Sequence, residues 1–209
     1  MTTNTRHSQT TTGLILAGGR SRRMGRDKTV MPFGDRSMIA HVVERLGPQV
    51  STLAINALPG FGEHRNLPLV PDALSDHQGP LAGILAGLRH FAVQGGVTHM
   101  VSAPADGPFL PRDLVARLAA ACPDQNTIAV ASSEGHLHPV YALWPLSVAD
   151  DLDSWLQDPD NRRIKAFLAR HPMMSVPFQQ EDTPAGPRDP FFNINTPEDF
   201  ARAQNYLEQ

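Results

Sequence analysis

The sequence predicts an α/β fold: a single-domain three-layer sandwich whose Rossmann-like, mainly parallel sheet carries helices on both faces. Three observations predict it. Short apolar runs alternate with segments of helical periodicity along the chain. The apolar runs stop at glycine, asparagine or aspartate, residues that punctuate strand ends. A chain of 209 residues, 41% of them hydrophobic, is long enough for one substantial core, and no repeat or linker divides it.

The elements follow in order. Residues 1–12 are polar and Thr-rich, lack an apolar signal core, and read as a flexible tail before a single domain over 13–209. Residues 13–17 form an apolar strand that runs into Gly18-Gly19. Residues 37–46 carry Met38, Ile39, Val42, Val43 and Leu46 at helical spacing. Strands are expected over 52–55, ending at Asn56, and over 67–70, ending at Pro71-Asp72. Residues 79–91 form a helix with Leu81, Ile84, Leu85 and Leu88 on one face. A strand over 98–102 leads to Pro104-Ala105-Asp106, and Pro111 opens a helix that ends at Cys122. Residues 127–131 and 140–143 are strands, 148–156 and 161–170 helices, and 191–194 a short strand. Thr196-Pro197-Glu198-Asp199 combines a cap, a first-turn proline and two acids, and starts the last helix. The polar, Pro-rich stretch 179–188 reads as a mobile loop.

Composition excludes several classes. The net charge is -3 and no Lys or Arg run exceeds a pair, which disfavours a nucleic-acid partner. No stretch of some eighteen apolar residues exists, so no membrane span is expected, and cytoplasmic residence follows. The single cysteine, Cys122, excludes an internal disulfide and reads as a small buried hydrophobe.

In a mainly parallel sheet the ligand sits beyond the carboxyl ends of the strands. Gly18-Gly19, Asn56, Asp72, Asp106 and Asn193 to Asn195 all fall at such ends and are expected to form one site. The first of these opens a glycine loop, residues 14–28, in which Arg20, Arg22, Arg23, Arg26 and Lys28 follow the glycines. Successive backbone N–H groups in such a turn make an anion-binding concavity, and the cations point to polyphosphate. The glycine spacing fits neither a P-loop nor a dinucleotide fingerprint. A solvated basic loop is the plain structural alternative.

Leu16-Ala17-Gly18-Gly19, then Ser21, Arg23-Met24-Gly25 and Asp27-Lys28, resembles the signature of nucleotidyltransferases that transfer a nucleoside monophosphate from an NTP. The Arg-Met-Gly-x-Asp-Lys version is similar to the molybdenum cofactor branch, and Gly79-Pro80-Leu81-Ala82-Gly83 to its guanylyl members. The resemblance implies GTP and molybdopterin as substrates, Mg²⁺ as cofactor, and transient contacts with molybdopterin-synthesis and molybdoenzyme-maturation proteins. It implies catalytic roles for Arg23, Lys28 and Asp106, with Asp106 as the metal ligand. Nucleotide binding is implied for Leu16, Ala17, Gly18, Gly19, Lys28, Asn56, Asp72, Gly79 and Asp106. Ala105 stands where the family pattern has cysteine; the Asp, Pro and Phe around it are kept.

On the acceptor side, Arg162 and Arg163 resemble a late basic pair, though a solvated helix face explains them nearly as well. Asn193-Ile194-Asn195-Thr196-Pro197 is similar to a late family motif. Its two amides, Asn193 and Asn195, either read a pterin or brace loops. His136 and His138, with Glu134, are either an exposed strand face or a transition-metal site, and His138-Pro139-Val140 resembles a segment near the second substrate. A cytidylyl-type or sugar- or alcohol-phosphate transferase, and a non-catalytic molybdopterin or nucleotide carrier, remain alternatives.

Overall fold

The computed structural model describes residues 11–18, 31–61, 66–72 and 79–207. Its frame is a six-stranded sheet in the order β4-β1-β5-β7-β6-β8. The strands are β1 (Thr11–Leu16), β4 (Leu53–Asn56), β5 (His99–Pro104), β6 (Ile128–Ser133), β7 (His136–Pro145) and β8 (Met173–Pro177). All run one way except β7, which pairs antiparallel with both β5 and β6. Alternation along each strand divides the core in two. Ile15, Ile55, Ala103 and Leu143 face helices α1 (Met38–Leu46) and α3 (Leu114–Ala121). Leu14, Ala54, Met100 and Trp144 face α2 (Pro80–Ala92), α4 (Ala149–Leu156) and α5 (Ile164–Leu168). The predicted α/β class, mainly parallel sheet and two helical layers are all present.

A third cluster lies outside the sandwich. Phe33, Met38, Phe109, Ile194 and Ala203 pack together, joined by Phe192, Phe200 and Tyr206. It seats the last helix, α6 (Pro197–Asn205), and the two-stranded pair β2 (Pro32–Phe33) and β3 (Arg36–Ser37). The α6 start is as the sequence predicts: the Thr196 hydroxyl accepts from Asp199 N while the Asp199 carboxylate accepts from Thr196 N.

Several elements differ from expectation. β1 begins at Thr11, so Thr11 and Thr12 belong to the sheet rather than to a tail. Residues 67–70 make only an isolated bridge, Leu69 to Ile55. α3 starts three residues after Pro111, whose carbonyl is taken by Gln49 Nε2 at 2.9 Å. The helix expected over 161–170 shrinks to Ile164–Leu168. Asp158 captures the preceding turn through its side chain and carbonyl, a local bonding pattern that competes with helix. β7 has ten residues, not four, and its pairing with β6 breaks between Val130 and Ala131, opposite Pro139, which has no N–H to give.

The stretch expected to be a mobile loop is instead the hairpin β9 (Glu181–Thr183) with β10 (Gly186–Arg188). Buried Arg188 pairs with Glu181 and lies 4.4 Å over the Phe109 ring. The strand expected over 191–194 does not form. Asp189 takes the N–H groups of Phe191 and Phe192, and Ile194 N turns to Asp106 O. Among the described residues no helix is long and apolar enough to cross a membrane.

Candidate active site

The carboxyl ends of β1, β4 and β5 meet at one edge, where the order β4-β1-β5 makes β1 the point from which the chain crosses both ways. Backbone bonds tie the three ends together. Ala17 N donates to Asn56 O at 2.9 Å, and Ala105 N donates to Leu16 O at 3.0 Å. Leu16, Ala17, Gly18, Asn56 and Asp106 are therefore neighbours, as the strand-end rule predicts. Gly19, Arg23 and Lys28, with the rest of the basic loop, lie outside the described residues.

Asn56 is buried, and both N–H groups of its amide are used. Nδ2 donates to Val70 O at 2.9 Å and to Asp72 Oδ1 at 2.8 Å. The amide thus fixes a half-buried carboxylate beside the glycine turn. Its Oδ1 occupies space that side chains elsewhere would fill. A Cβ on Gly18 would lie 3.2 Å from it, and a Cβ on Gly83 only 2.3 Å. Gly83 sits one turn into α2, so the helix can approach the sheet edge only because that position has no side chain. Gly79, the residue before α2, has φ 154° and ψ 170°, a region open essentially to glycine alone.

Asp106 follows β5, and its backbone carbonyl accepts from Ile194 N at 2.9 Å. That bond brings the 193–195 segment to the carboxylate. Tyr141, fully buried on β7, donates its hydroxyl to Asn193 Oδ1 at 3.1 Å. Burial pushes this phenol well above its usual range, and the Asp106 and Asp189 carboxylates push it further. Asn193 and Asn195 lie on no strand, and the Asn195 backbone N–H donates to Asp199 at the start of α6.

A second polar chain stands beside Tyr141. Ser133 Oγ donates to Asp189 Oδ2 at 2.9 Å and lies 2.6 Å from His138 Nε2. The single hydroxyl proton goes to the carboxylate, so His138 must be the donor to Ser133. Serine, not histidine, is in the middle, and this order cannot activate the serine as a nucleophile. Burial lowers the His138 pKa, Asp189 acts against that, and His136 and Lys165 add to it. The ring packs 4.7 Å from Phe191. His136 is exposed, and among the described residues no cluster of three or more His, Cys, Asp or Glu could hold a metal. Ser133, Tyr141 and Asp189 escaped sequence reasoning: Tyr141 reads as core, and Asp189 follows a loop-like stretch.

Arg162 and Arg163 are exposed ahead of α5, and Arg162 Nε donates to Pro159 O at 2.7 Å. Lys165, two residues on, is the α5 cation whose field reaches His138. Cys122 is half-buried at the end of α3, and burial raises its thiol pKa, which suits a packing role.

A single carboxylate at a strand end suits a hard divalent cation, which takes few protein carboxylates and completes its shell with phosphate oxygens and water. Asp106, tethered on both sides by backbone bonds, fits that requirement.

The profile of the MobA-like NTP transferase domain family matches residues 13–174. Two similar proteins, from Rhizobium leguminosarum bv. trifolii and Rhizobium meliloti, are each described as a molybdenum cofactor guanylyltransferase. The first is 47% identical over 94% of this chain and 92% of its own. The second is 47% identical over 96% of this chain and 94% of its own. Among solved structures, molybdopterin-guanine dinucleotide biosynthesis protein A from Archaeoglobus fulgidus superposes with a TM-score of 0.71 at 25% identity, covering 94% of this chain and 98% of that one. The 4-diphosphocytidyl-2C-methyl-D-erythritol synthase of Anaerococcus prevotii shares the fold at 11% identity, with a TM-score of 0.70 over 99% of this chain and 100% of that one.

Proposed function

The chain belongs to the MobA-like NTP transferase family, and from that premise we propose that it transfers GMP from GTP to the terminal phosphate of molybdopterin, releasing pyrophosphate. The observation that carries this reading is the 47% identity, over 94% of the chain, to a protein described as a molybdenum cofactor guanylyltransferase. The enzyme would act in the cytoplasm and there meet the proteins that make molybdopterin and mature molybdoenzymes.

GTP would lie across the β1 and β4 ends, with its triphosphate on the loop that Gly18 opens. Gly19, Arg23 and Lys28 would supply N–H groups and charge to the phosphates. Asp72, fixed by Asn56, and the Gly79 to Gly83 segment would face the base. Asp106 would hold Mg²⁺, which supplies charge neutralisation beside the α-phosphorus. An oxygen of the molybdopterin phosphate attacks that phosphorus in line. The new P–O bond forms as the bond to the oxygen bridging the α- and β-phosphorus breaks, and pyrophosphate leaves with the electron pair. The nucleophile is already an anion at neutral pH, so positioning and charge neutralisation suffice without a general base. Asn193, Asn195, Arg162 and Arg163 lie on the acceptor side of this scheme.

A fold shared with a 4-diphosphocytidyl-2C-methyl-D-erythritol synthase does not choose the base. Pyrophosphate release with Mg²⁺ and molybdopterin, compared for GTP, CTP and ATP, chooses it. Release with GTP alone supports the proposal. Release with CTP keeps the transfer and overturns the base, and GTP binding without release favours a carrier. In the same assay Asp106→Asn should need far more Mg²⁺ for half-maximal rate; an unchanged Mg²⁺ profile would remove Asp106 from the metal role.

A further inference from the structure

We infer that Tyr141 is a positioning residue for the acceptor: its buried hydroxyl orients Asn193 so that the site offers both amide N–H groups of that residue, and not its carbonyl, to the incoming substrate. The inference rests on the guanylyl reading for the identity of the acceptor and on geometry for the rest.

The Tyr141 hydroxyl is fully buried, and its one acceptor among the described residues is Asn193 Oδ1. The opposite amide orientation would make the hydroxyl accept from Nδ2 and leave its own proton buried without a partner, a costly arrangement. Burial also keeps the phenol protonated, so it stays a donor at any pH the enzyme meets. Oδ1 is therefore committed inward. Nδ2, on the other branch of the carboxamide, points away from the hydroxyl, and its two N–H groups have no partner among the described residues.

The surroundings hold this arrangement in place. The Tyr141 ring packs 4.8 Å from Phe191 and 6.4 Å from His138. Gly107 makes room for the hydroxyl, since a Cβ there would fall 1.6 Å from its oxygen. Ile194, next to Asn193, is bonded to the Asp106 carbonyl. The phenol thus registers the acceptor segment against the carboxylate assigned to the metal. A pair of N–H donors there selects an acceptor-rich group, either a phosphate oxygen or the carbonyl of a pterin ring.

The test is a kinetic cycle read as pyrophosphate release, with molybdopterin and GTP varied in turn, for the native enzyme, Tyr141→Phe, Asn193→Ala and the double variant. Tyr141→Phe should raise the KM for molybdopterin on the order of tenfold, the effect of one unfixed hydrogen-bonding group. The KM for GTP should stay within about twofold, and the phenylalanine should add nothing in the Asn193→Ala background. A molybdopterin KM that does not move, two KM values that rise together, or a full extra loss on Asn193→Ala each overturns the inference while the native enzyme still turns over. A native enzyme that releases no pyrophosphate from GTP overturns the guanylyl reading and this assignment with it. Should Tyr141→Phe not fold, Asn193→Asp decides. It keeps an oxygen for the phenol but loses both N–H groups, so it must raise the molybdopterin KM alone.

Discussion

Individual residues at the sheet edge were legible where a single rule governs them. Asn56 and Asp106 stand at strand ends and Asp72 just past the isolated bridge at Leu69, and polar residues there face the ligand side in any sheet of this kind. Gly83 carries the sharpest residue-scale prediction. A methyl group would lie 2.3 Å from Asn56 Oδ1 and 2.9 Å from Leu16 Cδ2, so Gly83→Ala must displace the amide that fixes Asp72. The KM for GTP should rise on the order of tenfold or more with the molybdopterin KM unchanged, and a silent substitution would detach Asn56 from nucleotide binding. His138 gives a pH prediction. Its pKa is lowered in the fold, chiefly by burial, so the unfolded chain binds the proton more readily. Stability is complete above the ordinary value of 6.5 and declines as pH falls below it. Melting temperatures measured across that range should show the decline in the native protein and a smaller one in His138→Gln. Equal slopes would place the effect elsewhere. Ser133, Tyr141 and Asp189 could not be read in advance, because each acts through a partner five to 56 positions away.

Elements were legible in proportion to how far their own sequence decides them. α1, α2 and α4 formed within a residue of the expected bounds, since each has an apolar face against the sheet. The hairpin β9–β10 was not legible, because what orders it is remote: Arg188 pairs with Glu181, stacks on Phe109, and lies beside Tyr206 at the end of α6, whose hydroxyl donates to Pro187 O. Arg188→Ala should therefore destabilise the fold by about 1–3 kcal/mol, below the range for a fully buried pair because Glu181 is partly exposed. Proteolysis of the native state should then cut first within 181–188; protection equal to the parent's would mean the hairpin is held by its own turn. α5 was over-read for the converse reason, a local turn at Asp158 outcompeting a plausible helical pattern.

At the scale of the molecule, class and sheet direction followed from strand–helix alternation, but the antiparallel placement of β7 did not. It depends on a two-residue turn, Glu134-Gly135, in which both residues have positive φ, the geometry that folds a strand straight back. Amides of β1 and β5, central and buried on both faces, should exchange with solvent only by global unfolding, and those of edge strand β8 and the hairpin should exchange earlier. Hydrogen-exchange mass spectrometry that found uniform protection would contradict this layered stability. The reversed strand has a further consequence. Because β7 starts where its neighbours finish, the sheet has a seam at β5–β7. Strands β4, β1 and β5 bear the residues assigned to the nucleotide, while β6 and β7 bear those beside the acceptor segment. A lineage could thus redraw one side of the seam by changing a short surface turn and the segment after β10, and inherit the other side intact. On such a scaffold a new acceptor can be tried without relearning how to hold a triphosphate.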